Sequence, residues 1–155
     1  MGLPCFDFSL GFWIFNNSEI LKLNLMPFTL AISPSKTPLK SNRWLQLFIL
    51  VFAVVWGSTL AGTTDFSNWI LENALVFIFL GFLIFTFKKY QFSDLSYLLI
   101  CVYLCLHVYG SKYTYAENPF GYWLMETFDL KRNHYDRIVH FSFGFLLAYP
   151  MREMF

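Results

Sequence analysis

The stretch NWILENALVFIFLGFLIFTF, residues 68–87, runs for 20 residues with Glu72 as its one charge. Few folds are open to a chain that carries such a run. The hydrocarbon core of a bilayer is about 30 Å thick, and roughly 20 apolar residues of helix cross it. Inside that core every backbone N–H and C=O needs a partner from the protein, so only helices and closed barrels span it. Three further runs accompany the first. Residues 44–61 are 18 in number with no charge, residues 95–110 are 16 with His107, and residues 138–151 are 14 with His140. None of them alternates with period two, and four strands cannot close a transmembrane barrel. At 57% hydrophobic and 14% charged residues, the chain also lacks the polar surface to cover itself in water. The fold class expected is therefore all-α: a polytopic helical membrane protein with about four transmembrane helices. A net charge of +1 offers nucleic acid no basic surface, so none is expected as a partner.

The chain divides into two parts. Residues 1–43 read as a cytoplasmic lead, partly disordered, and residues 44–155 as the membrane domain. The lead holds LGFWIF at 10–15, a run too short to span, with no basic segment before it and no small-residue cleavage site after it. Met26 is a candidate true start. The three cysteines, Cys5, Cys101 and Cys105, form no disulfide framework. Cys101 and Cys105 are one helical turn apart in an apolar run. They read as small core residues, with a metal-binding pair as the sharper alternative.

Between the third and fourth runs, AENPFGYWLMETF at 116–128 has structure of its own. Asn118 suits a helix cap and Pro119 the first helical position. Phe120, Trp123, Leu124 and Phe128 would then form one apolar stripe. With Tyr113, Tyr115 and Tyr122 nearby, the segment reads as a short interfacial helix before the last spanning one. A lid over a cavity is the sharper reading.

Basic flanks set the orientation. Lys36, Lys40 and Arg43 precede the first run, and Lys88 and Lys89 follow the second. Both flanks are expected in the cytoplasm, with the N-terminus inside. Lys112, Lys131 and Arg132 then lie outside, partly balanced by Glu117, Glu126 and Asp129.

RNHYDRIVHFSFGF at 132–145 puts two histidines, an aspartate and two arginines at the head of an apolar run. On a helix Asp136 and His140 are i and i+4 and share a face, which Gly144 continues. In the expected topology Glu72 and His107 reach the same depth from other helices, with Glu117 close by. Ionisable groups at such depth usually face the bundle or water, and they pair. A polar cluster of Glu72, His107, Glu117, His134, Asp136, Arg137 and His140 near the outer leaflet follows. Its plainest role ties helices together through Glu72–Arg137 or Asp136–Arg137 pairs. A second role binds an anionic lipid or small solute, with Arg137 and His134 as donors. A third is metal or acid–base chemistry on a lipid or cell-wall precursor. There is no HExxH, GxSxG, Walker or zinc-spaced cysteine motif, so no reaction and no cofactor is specified.

YTYAENPFGYW at 113–123, RNHYDRIVHFSFGFLLAYPMRE at 132–153 and DFSNWILEN at 65–73 resemble the YjdF family of bacterial inner-membrane proteins, over about 43–155. The resemblance implies a multi-pass helical protein of the inner membrane and supplies no substrate. The Asp-basic-x-x-His-Phe core at 136–141 is similar, more loosely, to VanZ-like membrane proteins, a link to the cell envelope. Two departures stand out. The family pattern Gly-x-His-Tyr-Thr-Tyr here reads Gly110-Ser111-Lys112-Tyr113-Thr114-Tyr115, so a histidine of the cluster is replaced by Lys112. The family also continues past Phe155 with further helices. This chain is therefore expected to be incomplete at its C-terminus, with an oligomer or partner helices in place of the missing part. The expected function is a non-enzymatic envelope protein that binds a lipid headgroup or small solute. The competing one is a membrane-embedded enzyme, with or without a metal.

The basic flanks make a prediction. In a cysteine-free background, a cysteine placed at Ser67 should label from outside the cell and one placed at Gln91 should not. The reverse pattern would invert the topology and move the cluster to the inner side.

Overall fold

The computed structural model describes Leu30 and residues 37–155. The expectations for Cys5, residues 10–15, Met26 and Lys36 lie outside the described residues. Within them the chain forms five helices: α1 Arg43–Leu60, α2 Phe66–Thr86, α3 Asp94–Lys112, α4 Pro119–Thr127 and α5 Tyr135–Met154. Each long helix covers one of the four apolar runs to within a residue, and α5 takes Asp136 and Arg137 into its first turn. The starts follow local chemistry. Asn42, Asp65 and Ser93 each accept a backbone N–H from three residues ahead, at 2.9, 3.1 and 3.2 Å. These are the side chains that satisfy the orphan donors of a helix N-terminus. For α4 the expected Asn118–Pro119 start is present, with Asn118 Oδ1 accepting from Phe120 and Gly121.

Helices α1, α2 and α3 are long and apolar enough to cross a membrane, with mean hydropathies of 1.6, 2.0 and 1.4. Helix α5, at 20 residues, matches α3 in length and packs against it. Its charged residues sit in its first turns and its last, leaving 141–151 without charge.

Helix α3 is the centre. Of its most apolar window 56% is buried, against 22% for α1 and 17% for α2. The other three long helices each pack on α3. The core joins Phe48 and Phe52 of α1, Val76 of α2, Ile100, Leu104 and Val108 of α3, and Leu147 of α5. Facing outward are Ile49, Leu50, Leu71, Ile78, Ile84 and Phe85, all exposed. A soluble protein does not present such a belt, and a bilayer covers it without penalty. Cys101 is buried and hydrogen-bonds the Phe48 carbonyl at 3.4 Å, and both Cys101 and Cys105 are free.

Apolar side chains supply no preference for one helix over lipid, so close packing and interhelical hydrogen bonds carry the association. Asn73 is the main such contact. It is fully buried, accepts from Trp56 Nε1 at 2.6 Å, and donates to the Trp69 carbonyl and to Ser111 Oγ at 2.7 and 3.3 Å. It thus ties α1, α2 and α3 together. A second link stands beside it, where Trp69 Nε1 donates to Thr59 Oγ1 at 3.0 Å. The far end of α5 is fastened too. Glu153 accepts from the Ser93 N–H at 3.1 Å and the Ser96 hydroxyl at 2.7 Å, while Tyr90 donates to the Glu153 carbonyl. A carboxylate at the first turn of α3 also meets the positive end of its dipole.

Asn73→Leu keeps the volume and removes both interhelical bonds. Stranding a buried partner costs about 1–3 kcal/mol, so thermal unfolding in mild detergent should shift down clearly. Ser58→Ala, on an exposed turn of α1, should leave the transition in place.

Candidate functional site

The end of the bundle that holds the start of α5 also holds the stretch YTYAENPFGYW, and glycines let the two interlock. Two consecutive residues after α3, Thr114 and Tyr115, take left-handed backbone angles, φ 52° and 57°. Such angles are uncommon for a β-branched threonine or a bulky tyrosine and persist only where surrounding contacts hold them. Their effect is to fold the Tyr115 ring back over Gly110. A Cβ at Gly110 would lie 2.3 Å from Tyr115 Cε1. The Tyr115 hydroxyl then reaches His107 Nδ1 at 2.9 Å. On its other side His107 Nε2 lies 3.3 Å from the Glu72 carbonyl. A carbonyl can only accept, so in the neutral ring Nε2 bears the proton and Tyr115 donates to Nδ1. Burial above all, and then the negative charge of Glu72 and Asp136 among its neighbours, pushes the Tyr115 phenol far above its ordinary range. It stays protonated and keeps its donor.

The second interlock joins the loop to α5. Asn133 Nδ2 donates to the Asn118 carbonyl at 3.0 Å, and Asn133 Oδ1 accepts the Tyr135 N–H at 2.9 Å, capping α5. A Cβ on Gly121 would fall 1.8 Å from Asn133 Oδ1. Tyr135, only 1% exposed, donates to the Leu106 carbonyl at 2.9 Å. His134, expected as a donor to a ligand, begins α5 without a capping bond, and its Nδ1 is buried without a partner among the described residues.

The expected cluster therefore separates into two groups. Glu72, through its carbonyl, and His107 meet inside the bundle. Asp136 and His140 pair with each other, Nδ1 to Oδ1 at 3.0 Å, as their i, i+4 spacing implies. That pair stands on the outside of α5, with side chains 60% and 78% exposed. Arg137 is exposed as well, and so is Glu117. No ion pair joins Arg137 to Glu72 or Asp136 among the described residues, so the tie between helices expected of these residues is made instead by Asn73, Tyr135 and Glu153. The reason is angular. Tyr135 and Val139 take the face of α5 turned to α3, and Arg137 falls on the opposite side at 100° per residue. Gly144 lies in open space, with no neighbour within 4 Å of a Cβ built there, so no helix approaches it. Lys112 does not stand in the cluster either. Its Nζ is 3.5 Å from the Ser58 carbonyl and its own carbonyl accepts from Thr64. A histidine there would face the end of α1.

Because α2 and α5 each pack on α3, a groove remains between them. It encloses about 390 Å³ and is lined by Leu75 and Phe79 of α2, Tyr103 and His107 of α3, and Phe143 and Leu147 of α5. Its walls are apolar, and His107 marks its polar end. Asp136, His140, Phe143 and Leu147 are spaced i, i+4, i+7 and i+11, one stripe of a helix. The exposed ion pair therefore continues the wall of the groove. No group of three His, Cys, Asp or Glu side chains is placed to hold a metal among the described residues.

Residues 43–155 match the model of a family described as "Predicted membrane protein (DUF2238)". The chain belongs to this family. The match starts at the first residue of α1 and takes in all five helices, so the protein is an integral membrane protein. It is also similar to the inner membrane protein YjdF of Escherichia coli (strain K12), 34% identical over 90 residues, 58% of this chain. That match spans 43% of the relative's length. No solved structure matches.

Tyr115, expected as an interfacial aromatic, turns inward to His107, and Asn73, Tyr135, Asn133 and Glu153 hold the helices without being among the expected site residues. For Tyr115 and Asn133 the usable signal was a glycine, five residues before the tyrosine and twelve before the asparagine.

Gly110→Ala should lower the thermal midpoint, since forcing extra volume into a packed site costs about 1–3 kcal/mol. Gly144→Ala and Arg137→Ala should leave it unchanged. A large loss on Arg137→Ala would put the arginine back in a buried pair, where removal of one partner costs about 3–5 kcal/mol.

Proposed function

We propose that this DUF2238 protein binds a lipid or a similar amphiphile from the bilayer, with its apolar part in the groove between α2 and α5. The observation that supports this reading is the stripe Asp136–His140–Phe143–Leu147. It continues the apolar wall of a laterally open groove into an exposed, mixed-charge end beside His107. Ligand sites of about 300–1,000 Å³ that are mostly apolar with a few convergent polar groups are the usual form, and about 390 Å³ falls within it. Arg137 and the second ring nitrogen of His140, which is not the one paired with Asp136, can then meet a polar headgroup, with Glu72 and His107 at the level where the groove closes. The bacterial inner membrane is the proposed location, by likeness to the inner membrane protein YjdF. The basic flanks Lys40–Arg43 and Lys88–Lys89 support an N-terminus in the cytoplasm.

An enzyme acting on a lipid or cell-wall precursor is the competing reading. It requires a ligand set or an uncommitted base. His107 has both ring nitrogens engaged, and no metal-holding group is formed among the described residues. The apolar lining of the groove supports binding over chemistry.

Lipid analysis of the purified chain tests the proposal. A lipid should be retained at near-equimolar level in mild detergent. Leu75→Trp, which fills the groove from an exposed position, should reduce retention at least fivefold. Asp136→Ala with His140→Ala should change which headgroup is retained. Unchanged retention in both variants would remove the groove as the site. Stoichiometric zinc or iron in the pure protein would turn the reading toward the enzyme.

A further inference from the structure

The geometry points to a second and separate binding site, for one acyl chain of an anionic phospholipid, in the cavity between α1 and α2. This cavity encloses about 530 Å³. Phe48, Phe52 and Trp56 of α1 form one wall, Leu80 and Leu83 of α2 the other, and Ile100 of α3 lies at its floor. It shares one lining residue, Leu104 of α3, with the groove at His107. It opens on the other side of α2 and toward the opposite end of the bundle.

Three observations define what fits. The first is depth. Along α1 the lining runs from Leu45 to Trp56, about 16 Å at 1.5 Å per residue, or half of the roughly 30 Å hydrocarbon core. The cavity is as deep as one leaflet. The second is polarity. Among the described residues Lys88 is the one charged residue in the lining, which also includes Leu39. Trp56 Nε1 is already committed to Asn73, the Cys101 thiol to the Phe48 carbonyl, and the Tyr97 hydroxyl accepts the Phe92 N–H. Apart from these three groups, the walls below the rim are apolar. The third is charge. Lys40 and Arg43 flank one lip, Lys88 and Lys89 the other, and all four are exposed. Two carboxylates stand at this end, held by neutral donors: Asp94 accepts from Asn42 at 2.6 Å, and one oxygen of Glu153 from Ser93 and Ser96. The four cations outnumber them, so the rim is net cationic, and clustered Lys and Arg at a membrane surface attract anionic headgroups. A phosphate on Lys88 with its chain below satisfies both halves of the site.

Native mass spectrometry of the full chain, released from nanodiscs of phosphatidylglycerol or of phosphatidylcholine, tests this. One phosphatidylglycerol should remain bound, with retention at least fivefold above phosphatidylcholine. Lys88→Ala with Lys89→Ala should erase that preference, and Lys88→Arg should keep it. Ala53→Phe, which fills the cavity from its α1 wall without changing charge, should abolish retention there. Leu75→Trp, which blocks only the groove at His107, should leave the preference intact, so this site and the proposed function fail separately. Equal retention of the two lipids would overturn the inference. So would a preference unmoved by both the Lys88/Lys89 and Ala53 changes. A wild-type dimer that becomes monomeric on Ala53→Phe and carries no lipid would assign the cavity to a second copy of the chain and overturn it as well.

Discussion

Asn73 carries a constraint on which the rest of the bundle depends. In hydrocarbon a helix gains nothing by exchanging lipid for another apolar helix, and polar contacts supply the specificity. An amide buried without partners would cost several kcal/mol, roughly 2–7 depending on the reference state. Asn73 meets that cost with Trp56 of α1, Ser111 of α3 and the Trp69 carbonyl of its own helix. Its two interhelical contacts fix the rotation of α2 about its axis. Once that rotation is set, Val76 points into the core one turn on, and the Glu72 carbonyl faces His107. The position of α2 against the site thus follows from a residue outside the site.

Helix α5 obeys a different rule. It is pinned near both ends, by Tyr135 to the Leu106 carbonyl and by Glu153 to the first turn of α3. Between the pins Val139, Leu147 and Pro150 meet the core. Pro150 gives up a backbone N–H in the last turn of the helix. Its outer face is left to Phe141 and Phe145, and the Asp136–His140 pair stands exposed at the edge of the groove. Three helices around one, none packed broadly on another, leave lateral openings. Both cavities come from this arrangement.

The helices were legible because hydrocarbon thickness and hydrogen-bond satisfaction act on composition, which a sequence displays directly. Four apolar runs became four long helices. The start of α4 was legible from Asn118 and Pro119, since capping is local. Asp136 and His140 shared a face for the same reason, as periodicity fixes it. What periodicity does not fix is which face turns inward. Arg137 was expected in a pair, but Tyr135 and Val139 hold the inner face and leave Arg137 outside. The contact of Tyr115 with His107 was not legible either. It requires two successive left-handed residues, and neither threonine nor tyrosine signals that conformation. Nor did Asn73 stand out, as one amide inside an apolar run whose partners lie 17 and 38 residues away.

The backbone strain at Thr114–Tyr115 ties these strands together. Left-handed angles at two non-glycine residues cost of order 1–3 kcal/mol each, and a loop at a membrane surface has cheaper conformations. What holds the strained form is the fit of Tyr115 over Gly110 and its bond to His107. That contact in turn sets the ring of His107, which ends the groove between α2 and α5. Replacing the Tyr115 hydroxyl would release Nδ1 of His107 and loosen the loop that leads into α4. The same loop reaches α5 through Asn118 and Asn133. A change of occupancy in the groove that moved His107 would therefore reach α4 and the start of α5 along one chain of contacts. The exposed rings of α4, Phe120, Tyr122 and Trp123, lie at the far end of that chain.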